Sequence, residues 1–309
     1  MTKVFIDGSV GTTGLRIYDR LRERPDLELI ILEGESRKDP AARAAALDSA
    51  EIAFLCLPDA AAREDAELIN DPDTVIIDTS TAHRTADGWA YGFPELKGRR
   101  EKITGSRRIA NPGCHASGFI ALVAPLTEEG IIDADAQLSC FSLTGYSGGG
   151  KKMIAEYESA QKSPLLKGPR MYGLNQAHKH IPEMMKQTGL VFQPSFCPVV
   201  GNFYAGMEVA VPLPKAAAHG STGDIKEVYR QYYCSGLVTY IDAPDEAGFL
   251  SAAAFAGRDD MQISVFGSEE NILLVSRFDN LGKGACGAAI QNMNIVLGLD
   301  ETMGLNIGR

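Results

Sequence analysis

Long apolar runs, paired cysteines and an excess of basic residues are all missing from this sequence of 309 residues. No apolar run approaches the ~20 residues that a membrane-spanning helix needs, so we expect no membrane partner. The six cysteines are scattered and form no C-x-x-C pair, which favours a reducing compartment over a disulfide framework. The net charge of −10 argues against nucleic acid as a partner.

What is present is the composition of an ordinary globular protein. The chain is 45% hydrophobic and 23% charged, and its length suits about two domains. The amino end passes from Met1 directly into an apolar run, which leaves no room for a signal peptide. We therefore expect a cytoplasmic location.

Hydrophobic patterning separates the chain into two parts. Short continuous apolar runs alternate with helix-like stretches through the first third, which predicts an α/β domain with a doubly wound parallel sheet. Residues 207–213 and 261–265 alternate with period two, which predicts a second, α+β domain with a mixed or antiparallel sheet. A last helix is predicted over residues 284–297, and we expect it to return and pack on the first domain.

A glycine-rich turn follows the first predicted strand and precedes the first predicted helix. Its glycines, Gly8, Gly11 and Gly14, permit a tight turn and close approach of a pyrophosphate to backbone N–H groups. The alternative is a plain tight turn, but the strand–turn–helix context favours dinucleotide binding. The turn's predicted cofactor contacts are Gly8, Ser9, Gly11, Thr12, Thr13 and Gly14.

The residues after the second predicted strand bear on the choice of nucleotide. Glu33 stands where an acidic side chain would hold a ribose hydroxyl and favour NAD. Ser36, Arg37 and Lys38 follow, and a hydroxyl with two cations suits a 2′-phosphate. The alternative for the two cations is a solvated loop. These residues favour NADP slightly.

Cys114 is the predicted nucleophile. It follows an Asn-Pro-Gly turn, and the apolar residues after it recur at helical spacing, so it lies in the first turn of a predicted helix. The N–H groups and the macrodipole at that position favour a thiolate. A thiolate of this kind suits acyl transfer. The other five cysteines lack a comparable turn, and we expect them to be inert.

A thiolate nucleophile needs a base and later an acid, and a histidine pair offers both. His178 and His180 are separated by one residue, so in an extended chain their rings point to opposite sides, one toward the thiol and one toward the substrate. A metal site formed by this pair and Glu183 is the weaker alternative, because no third ligand cluster accompanies it. We expect the side chain of His115 to diverge from the cysteine and to be structural.

Two further segments suit the binding of an anion. A glycine-rich turn after a probable strand contains Ser147 and Gly148, whose hydroxyl and N–H groups can cradle a phosphate. Arg84 follows the strand that ends at Asp78, where ligands of open α/β sheets bind. A flexible hairpin and a surface arginine are the competing interpretations.

Together these residues resemble the N-acetyl-gamma-glutamyl-phosphate reductase family in its shorter form, which is similar to the aspartate-semialdehyde and glyceraldehyde-phosphate dehydrogenases. The resemblance covers nearly the whole chain. Its most specific segments are those of the cysteine and the histidine pair. The segments that carry it are residues 8–14, 54–59, 78–84, 92–96, 111–117, 178–183 and 282–285.

The resemblance implies a Rossmann domain over residues 1–113, completed by residues 282–309, and a catalytic and dimerisation domain over 114–281. It implies NADPH as cofactor, with Pro58 among the contacts, Cys114 as nucleophile, and His178 as acid/base with His180 as the alternate. Arg84, Ser147, Gly148, His180 and Glu183 are the predicted substrate or phosphate contacts. The implied partners are an acyl phosphate and inorganic phosphate, with no metal, and a homodimer or homotetramer is expected.

Three other functions compete with this one. The nearest is a related phosphorylating semialdehyde dehydrogenase, acting on aspartate semialdehyde or on a carrier-bound substrate of lysine biosynthesis. A cysteine hydrolase would need the thiol and the imidazole but no nucleotide, and the glycine turn argues against it. A nucleotide-binding regulator without chemistry would not need a reactive cysteine.

Overall fold

In the computed structural model, which describes residues 1–234 and 236–308, the chain divides into two units. Unit 1 comprises Met1–Pro94, Gly98–Pro112 and Ala285–Leu305. Unit 2 comprises Glu95–Lys97, Gly113–Gly284 and the chain from Asn306. The segment predicted to complete the first domain runs to Arg309, which lies outside the described residues.

Unit 1 is built on a parallel sheet. Its strands are β1 (Thr2–Asp7), β2 (Leu27–Ile30), β3 (Ile52–Leu55), β4 (Val75–Asp78), β5 (Ala90–Tyr91) and β6 (Arg108–Ala110). Their order is β2-β1-β3-β4-β6-β5, and each adjacent pair is parallel. The strands β3 and β4 are buried along their whole length, which agrees with their continuous apolar runs.

Helices cover both faces of this sheet. They include α1 (Thr12–Leu21), α2 (Pro40–Ser49), α3 (Asp59–Leu68) and α4 (Arg99–Thr104). Helix α2 begins where the Asp39 carboxylate accepts a hydrogen bond from the N–H of Ala41 at 3.1 Å and Pro40 supplies the first helical residue. Two separate buried clusters, one containing Ile6 and Phe54 and the other Phe5 and Ala53, form the core on the two faces.

Unit 2 contains a mixed sheet. Its strands are β7 (Ser139–Gly145), β8 (Arg170–Met171), β9 (Ser195–Gly201), β10 (Met207–Pro214), β11 (Val238–Tyr240), β12 (Met261–Gly267) and β13 (Asn271–Phe278), in the order β11-β12-β13-β10-β7-β9-β8. The pairs β7/β9 and β11/β12 are parallel and the other pairs are antiparallel.

The helices of unit 2 include α5 (Cys114–Glu128), α6 (Gly150–Glu158), α7 (Ile181–Thr188) and α8 (Thr222–Tyr232). Helix α5 is buried at every residue from His115 to Leu126, because it packs on the sheet and is also contacted by α7 and α8. Helix α8 begins with a capping box formed by Ser221 and Asp224, and its side chains Ile225 and Tyr229 are buried.

The last helix, α9 (Gly287–Val296), belongs to unit 1, where Ala289, Ile290 and Met293 join the cluster around Ile6. The prediction that this helix starts at Gly284 is wrong. Residues Gly282–Cys286 form a wider π-helical turn, and the backbone of Gly284 in it lies close to the Cys114 side chain.

The two sheets confirm the predicted fold class, a doubly wound parallel sheet followed by a mixed sheet. Among the described residues, none of the helices combines the length and the apolar character that crossing a bilayer requires.

Candidate active site

The glycine turn of unit 1 lies at the carboxyl end of β1. Gly8 has φ of 78°, and a Cβ on it would stand 2.3 Å from the carbonyl oxygen of Cys56. A Cβ on Gly14 would stand 2.4 Å from the Gly8 carbonyl oxygen, so α1 can start close to the turn only without a side chain there. The Gly11 N–H donates to the Gly8 carbonyl at 2.8 Å and closes the turn.

This turn occupies the place where a dinucleotide is expected to bind. The strand order puts β2 on one side of β1 and β3 on the other, so the carboxyl ends of β1 and β3 form a topological switch point. Ser9 lies in the turn, Thr12 and Thr13 are the first two residues of α1, and Pro58 follows β3 as the residue before α3. The N–H groups at the start of α1 suit a pyrophosphate.

The predicted contacts of the ribose lie on an exposed 3-10 turn, Gly34–Lys38, that follows β2. The Arg37 Nε donates to the Gly34 carbonyl at 3.2 Å, and the Lys38 ammonium lies 3.5 Å from Glu35. The Ser36 hydroxyl donates to the Glu33 carbonyl at 2.5 Å. Both cations therefore stand at the surface on weak local bonds, which a phosphate could replace.

A buried charge cluster beneath the glycine turn was missed by the sequence analysis. Asp7, the last residue of β1, lies 2.9 Å from Arg43 Nε, and the same guanidinium contacts Asp65 of α3. The side chain of Asp65 is fully buried. Burial and then the neighbouring Asp7 carboxylate raise the pKa of Asp65 to about 7. Only the fold brings these three side chains together, since they come from three separate elements.

Arg84 is nearly buried in unit 1 and tied to the backbone. Its Nε donates to the Asn111 carbonyl at 2.9 Å and its Nη2 to the Thr79 carbonyl at 3.0 Å. These bonds fix the guanidinium plane and hold the residue that opens the Asn-Pro-Gly turn. Its neighbour His83 stacks on Trp89 and lies 2.6 Å from Asp78.

In unit 2, Cys114 is the first residue of α5 and is partly exposed. Gly113 before it is extended, with φ of −83° and ψ of 145°, so the chain enters the helix with the N–H groups of its first turn at the cysteine. Burial raises the pKa of the Cys56 thiol to about 12, and it also raises that of Cys140. Cys140 is buried, whereas Cys56 is partly exposed like Cys114, so it is the position at a helix start that distinguishes Cys114 from both.

Three histidine rings gather beside Cys114. The ring centroids of His178 and His180 are 4.8 Å apart, and that of His115 lies 5.6 Å from the first and 5.4 Å from the second. The Sγ of Cys114, a ring nitrogen of His115 and one of His180 all lie within 4.8 Å of one another.

Two predictions about these rings are wrong. The chain at His180 is not extended but helical, with φ of −83° and ψ of −14°, since this residue opens α7. The rings of His178 and His180 therefore lie in one cluster and do not point to opposite sides. The side chain of His115 does not diverge from the site either, because β7 and the chain after β8 supply hydroxyl partners that hold it there.

Glu183 connects the histidine segment to the cysteine turn. Its side chain is almost fully buried, and its Oε2 accepts a hydrogen bond from the N–H of Gly113 at 3.2 Å. Its Oε1 lies 4.0 Å from Nε2 of His180. One carboxylate thus contacts both the residue before the thiol and an imidazole near the thiol.

The glycine-rich turn after β7 is a 3-10 turn, Tyr146–Gly149, in which Ser147 is buried. Asn280 donates from Nδ2 to the Ser147 hydroxyl oxygen at 3.0 Å, and its Oδ1 accepts from the N–H of Gly206 at 3.0 Å. A Cβ on Gly148 would stand 3.3 Å from the Asn280 amide. The turn is therefore held in one conformation with the Ser147 hydroxyl hydrogen directed away from Asn280.

The sequence analysis also missed the contacts of the segment that follows β13. Lys283 and Glu95 form an ion pair at 2.7 Å, and both side chains are buried. Next to them, a Cβ on Gly284 would stand 2.9 Å from the Cβ of Cys114. A Gly-Lys-Gly sequence indicates that another group packs closely against the backbone, but the sequence does not show that this group is the Cys114 side chain.

The thiol and imidazole groups are also ligand types for zinc. Both ring nitrogens of His115 already have hydroxyl partners, Ser142 at 2.7 Å and Tyr172 at 2.6 Å. The group of Cys114, His115 and His180 is therefore better suited to proton handling than to a metal ion.

Comparison with known proteins gives the same two-part division. Residues 3–106 match the family described as "Semialdehyde dehydrogenase, NAD binding domain", and residues 114–280 match "Semialdehyde dehydrogenase, dimerisation domain". An N-acetyl-gamma-glutamyl-phosphate reductase 2 of Nostoc is 46% identical, with 98% of this chain and 99% of that protein covered. The enzyme of that name from Brucella ovis is 45% identical, covering 96% and 99%.

Solved structures resemble the chain in fold. Aspartate semialdehyde dehydrogenase II of Vibrio cholerae, complexed with ASA, has a TM-score of 0.73 at 16% identity and covers 96% of this chain and 98% of that chain. The aspartate semialdehyde dehydrogenase of Francisella tularensis has a TM-score of 0.72 at 15% identity and covers 96% and 100%. At these identities the likeness concerns the fold alone.

Proposed function

Because this chain belongs to the N-acetyl-gamma-glutamyl-phosphate reductase family of the semialdehyde dehydrogenases, we propose that its reaction proceeds through a thioester on Cys114. The family predicted from the sequence is confirmed. The activity is the reduction of N-acetyl-gamma-glutamyl phosphate to the semialdehyde with release of phosphate. Aspartate semialdehyde dehydrogenase is the weaker candidate, and a cofactor-free cysteine hydrolase would not require the nucleotide-binding domain.

The proposed covalent sequence has four steps. The Cys114 thiolate attacks the acyl carbon, and the bond to phosphate breaks to leave a thioester. When bound, the reduced nicotinamide supplies a hydride for the thioester carbon. The resulting thiohemiacetal oxygen carries negative charge, which the N–H groups at the start of α5 can stabilise. The oxyanion then re-forms a carbonyl, which breaks the C–S bond and releases the semialdehyde, and the C–S electron pair leaves with the sulfur as the Cys114 thiolate, which can take a proton from the acid/base.

His180 is the acid/base that the contacts favour, although the sequence put His178 first and His180 second. The His180 ring lies with Cys114 Sγ inside the 4.8 Å group, and the Glu183 carboxylate lies 4.0 Å from its Nε2. A nearby carboxylate stabilises the imidazolium that forms when the thiol gives up its proton. Burial and the charge of Lys179 lower the pKa of His178 to about 4, so this ring is neutral at physiological pH and suits a substrate contact.

The cofactor residues proposed are those of the glycine turn, with Pro58 beside them. The turn fits a dinucleotide, because the absence of a Cβ at Gly8 and Gly14 lets the start of α1 lie close against the end of β1, where its N–H groups suit a pyrophosphate. The domain binds a nicotinamide nucleotide. The exposed cations Arg37 and Lys38, with the Ser36 hydroxyl, support NADP over NAD.

Three residues are proposed for the phosphate of the substrate. The Ser147 hydroxyl and the N–H of Gly148 lie in a turn held by Asn280. Arg84 is proposed as the charged contact, because its two backbone bonds fix the orientation of a group that pairs well with phosphate. We also propose that the chain forms a homo-oligomer, because unit 2 matches a dimerisation domain and the family commonly forms dimers and tetramers. We propose a cytoplasmic location, because the relatives are biosynthetic enzymes.

The observation that carries the proposal is the placement of a partly exposed Cys114 at a helix start within 4.8 Å of an imidazole nitrogen. The experiment runs the reaction in reverse with N-acetylglutamate semialdehyde, phosphate and either nucleotide. We expect phosphate-dependent reduction of NADP, faster than that of NAD, and none with aspartate semialdehyde. Cys114→Ser should abolish turnover and leave NADPH binding intact; turnover by that variant would exclude the thioester.

A further inference from the structure

We propose that the hydroxyl of Tyr172 is a hydrogen-bond donor to the acyl oxygen held on Cys114, oriented for that task by a relay from Ser142 through His115. The inference rests on the proposed function, because it needs an acyl group on the thiol. It adds a donor from the segment that follows β8 to the N–H groups at the start of α5.

The relay consists of three side chains in contact. His115, buried in the first turn of α5, has Nδ1 2.7 Å from the Ser142 hydroxyl on β7 and Nε2 2.6 Å from the Tyr172 hydroxyl. The backbone N–H of Tyr172 donates to the Pro198 carbonyl at 3.0 Å, which anchors the tyrosine against β9. The three groups therefore have little freedom to separate.

His115 is neutral in this place. Its burial, helped by the positive charge that His178 and Lys179 can carry, lowers the pKa of His115 to about 3. A neutral imidazole carries one proton, so one ring nitrogen donates and the other accepts. The hydroxyl that faces the protonated ring nitrogen therefore accepts a hydrogen bond, and the hydroxyl that faces the other ring nitrogen donates one.

Burial decides between the two arrangements. Ser142 is fully buried, and among the described residues its hydroxyl has only His115 Nδ1 as a hydrogen-bond partner. A buried hydroxyl hydrogen without an acceptor is costly, so Ser142 donates to Nδ1. The proton of His115 is therefore on Nε2 and is donated to the oxygen of Tyr172.

The consequence concerns the hydrogen of Tyr172 itself. Since the tyrosine oxygen accepts from His115, its own O–H is directed elsewhere. Burial, and the charge of the nearby Cys114, raise the pKa of Tyr172 well above its ordinary value, so the phenol stays protonated. The ring of Tyr172 lies 6.0 Å from that of His115 and 5.7 Å from that of His178, and His115 in turn belongs to the 4.8 Å group with Cys114 and His180, so the hydroxyl lies in the reactive part of unit 2. A neutral donor there can stabilise the negative oxygen of a thiohemiacetal.

The first test is Tyr172→Phe, which removes only the hydroxyl. We expect kcat for acyl phosphate reduction to fall about 10²-fold, which is the usual effect of losing one oxyanion donor, with little change in KM. The rate at which iodoacetamide alkylates Cys114 and the affinity for NADPH should not change. Tyr232→Phe, which removes a phenol hydroxyl bound to Glu128 and Glu129, is the matched control.

The relay also predicts an effect of substituting Ser142 that a purely structural role would not produce. Ser142→Ala frees His115 to accept from Tyr172, so the donor is lost part of the time and kcat should fall about tenfold. Ser142→Thr, which keeps a hydroxyl, should restore the rate. In a Tyr172→Phe background, Ser142→Ala should have no further effect, because the donor that it orients is already gone.

The outcomes separate this inference from the proposed function. A wild-type kcat for Tyr172→Phe, or additive losses in the double variant, would overturn the relay. A fall in kcat together with slower alkylation and weaker nucleotide binding would show a structural effect and would also overturn it. Turnover by Cys114→Ser, measured in parallel, would remove the thioester itself and would do so whatever Tyr172→Phe shows.

Discussion

At the scale of single residues, the reactivity that we propose for Cys114 depends on neighbours that come from distant parts of the chain. The Asn-Pro-Gly turn places the thiol at the start of α5, and that much is readable from the sequence. Glu183, by contrast, acts through two contacts that no local pattern shows, one with Gly113 and one with His180. The carboxylate therefore connects the residue before the thiol to the imidazole that we propose as its base.

The two histidines of the pair are distinguished by matched substitutions. His180→Asn removes the acid/base beside Glu183, so we expect kcat to fall by about 10²–10⁴-fold. His178→Asn removes a neutral ring at the substrate, and we expect a rise in KM with a smaller change in kcat. Steady-state kinetics of both variants checks this, and a larger loss of kcat in His178→Asn would reverse the assignment.

At the scale of elements, the apolar patterning predicted the parallel sheet of unit 1 and the mixed or antiparallel sheet of unit 2, but not the short strands β5 and β6. It did so because a strand buried on both faces is apolar throughout, and a strand buried on one face alternates apolar and polar residues. The errors lie where the local pattern carries no information: the π-helical turn Gly282–Cys286 before α9, the clustering of His178 with His180, and the inward direction of His115. Periodicity records how deeply a residue is buried but not which residue it meets.

The glycine turn between β1 and α1 gives a test of element packing. Gly8→Ala places a methyl group 2.3 Å from the Cys56 carbonyl at a φ of 78°, so we expect a loss of at least about 3 kcal/mol in the free energy of unfolding and loss of NADPH binding. Gly34→Ala is the control, since Gly34 has φ of 55° and a methyl group there would meet no atom within 4 Å. It should cost only about 1 kcal/mol. Chemical denaturation and nucleotide titration measure both.

The cluster that joins β1, α2 and α3 predicts a pH dependence. In the folded state burial and Asp7 raise the pKa of Asp65 to about 7, against an ordinary value near 4 in the unfolded chain. Between these values the folded state holds a proton that the unfolded chain has lost. This group therefore stabilises the fold at low pH, and its contribution is lost as the pH rises toward 7.

Asp65→Asn removes that dependence. Relative to the native chain, the variant should gain about 2 kcal/mol between pH 5 and pH 8, measured as the change in the free energy of unfolding. Asp19→Asn, on the exposed side of α1, is the control and should show no such gain. An equal response of the two variants to pH would mean that the Asp7–Arg43–Asp65 cluster holds no proton.

At the scale of the whole molecule, the net charge of −10 does not attract an anionic substrate, so the local cations and N–H groups described above must do so.

The sequence predicted the family because the specific segments are spread over nearly the entire chain. It could not predict the buried pairs Lys283–Glu95 and Arg43–Asp65, whose members are charged residues that usually lie at the surface.

Assembly belongs to this scale as well. In unit 2, Cys140 and Ser142 of β7 are buried while Phe141, on the opposite face of the strand, is 43% exposed. We expect this face to be covered by another copy of the chain, and light scattering should give a multiple of 33.2 kDa. Phe141→Glu should lower the measured mass. A native chain that is monomeric at micromolar concentration would contradict the assignment.

The thioester is tested most directly by mixing the enzyme with N-acetyl-gamma-glutamyl phosphate in the absence of nucleotide. We expect a burst of about one phosphate per active site, with the acyl group found by mass spectrometry on the peptide that contains Cys114 and absent in Cys114→Ser. Full turnover with NADPH but no burst and no adduct on Cys114 would contradict the account.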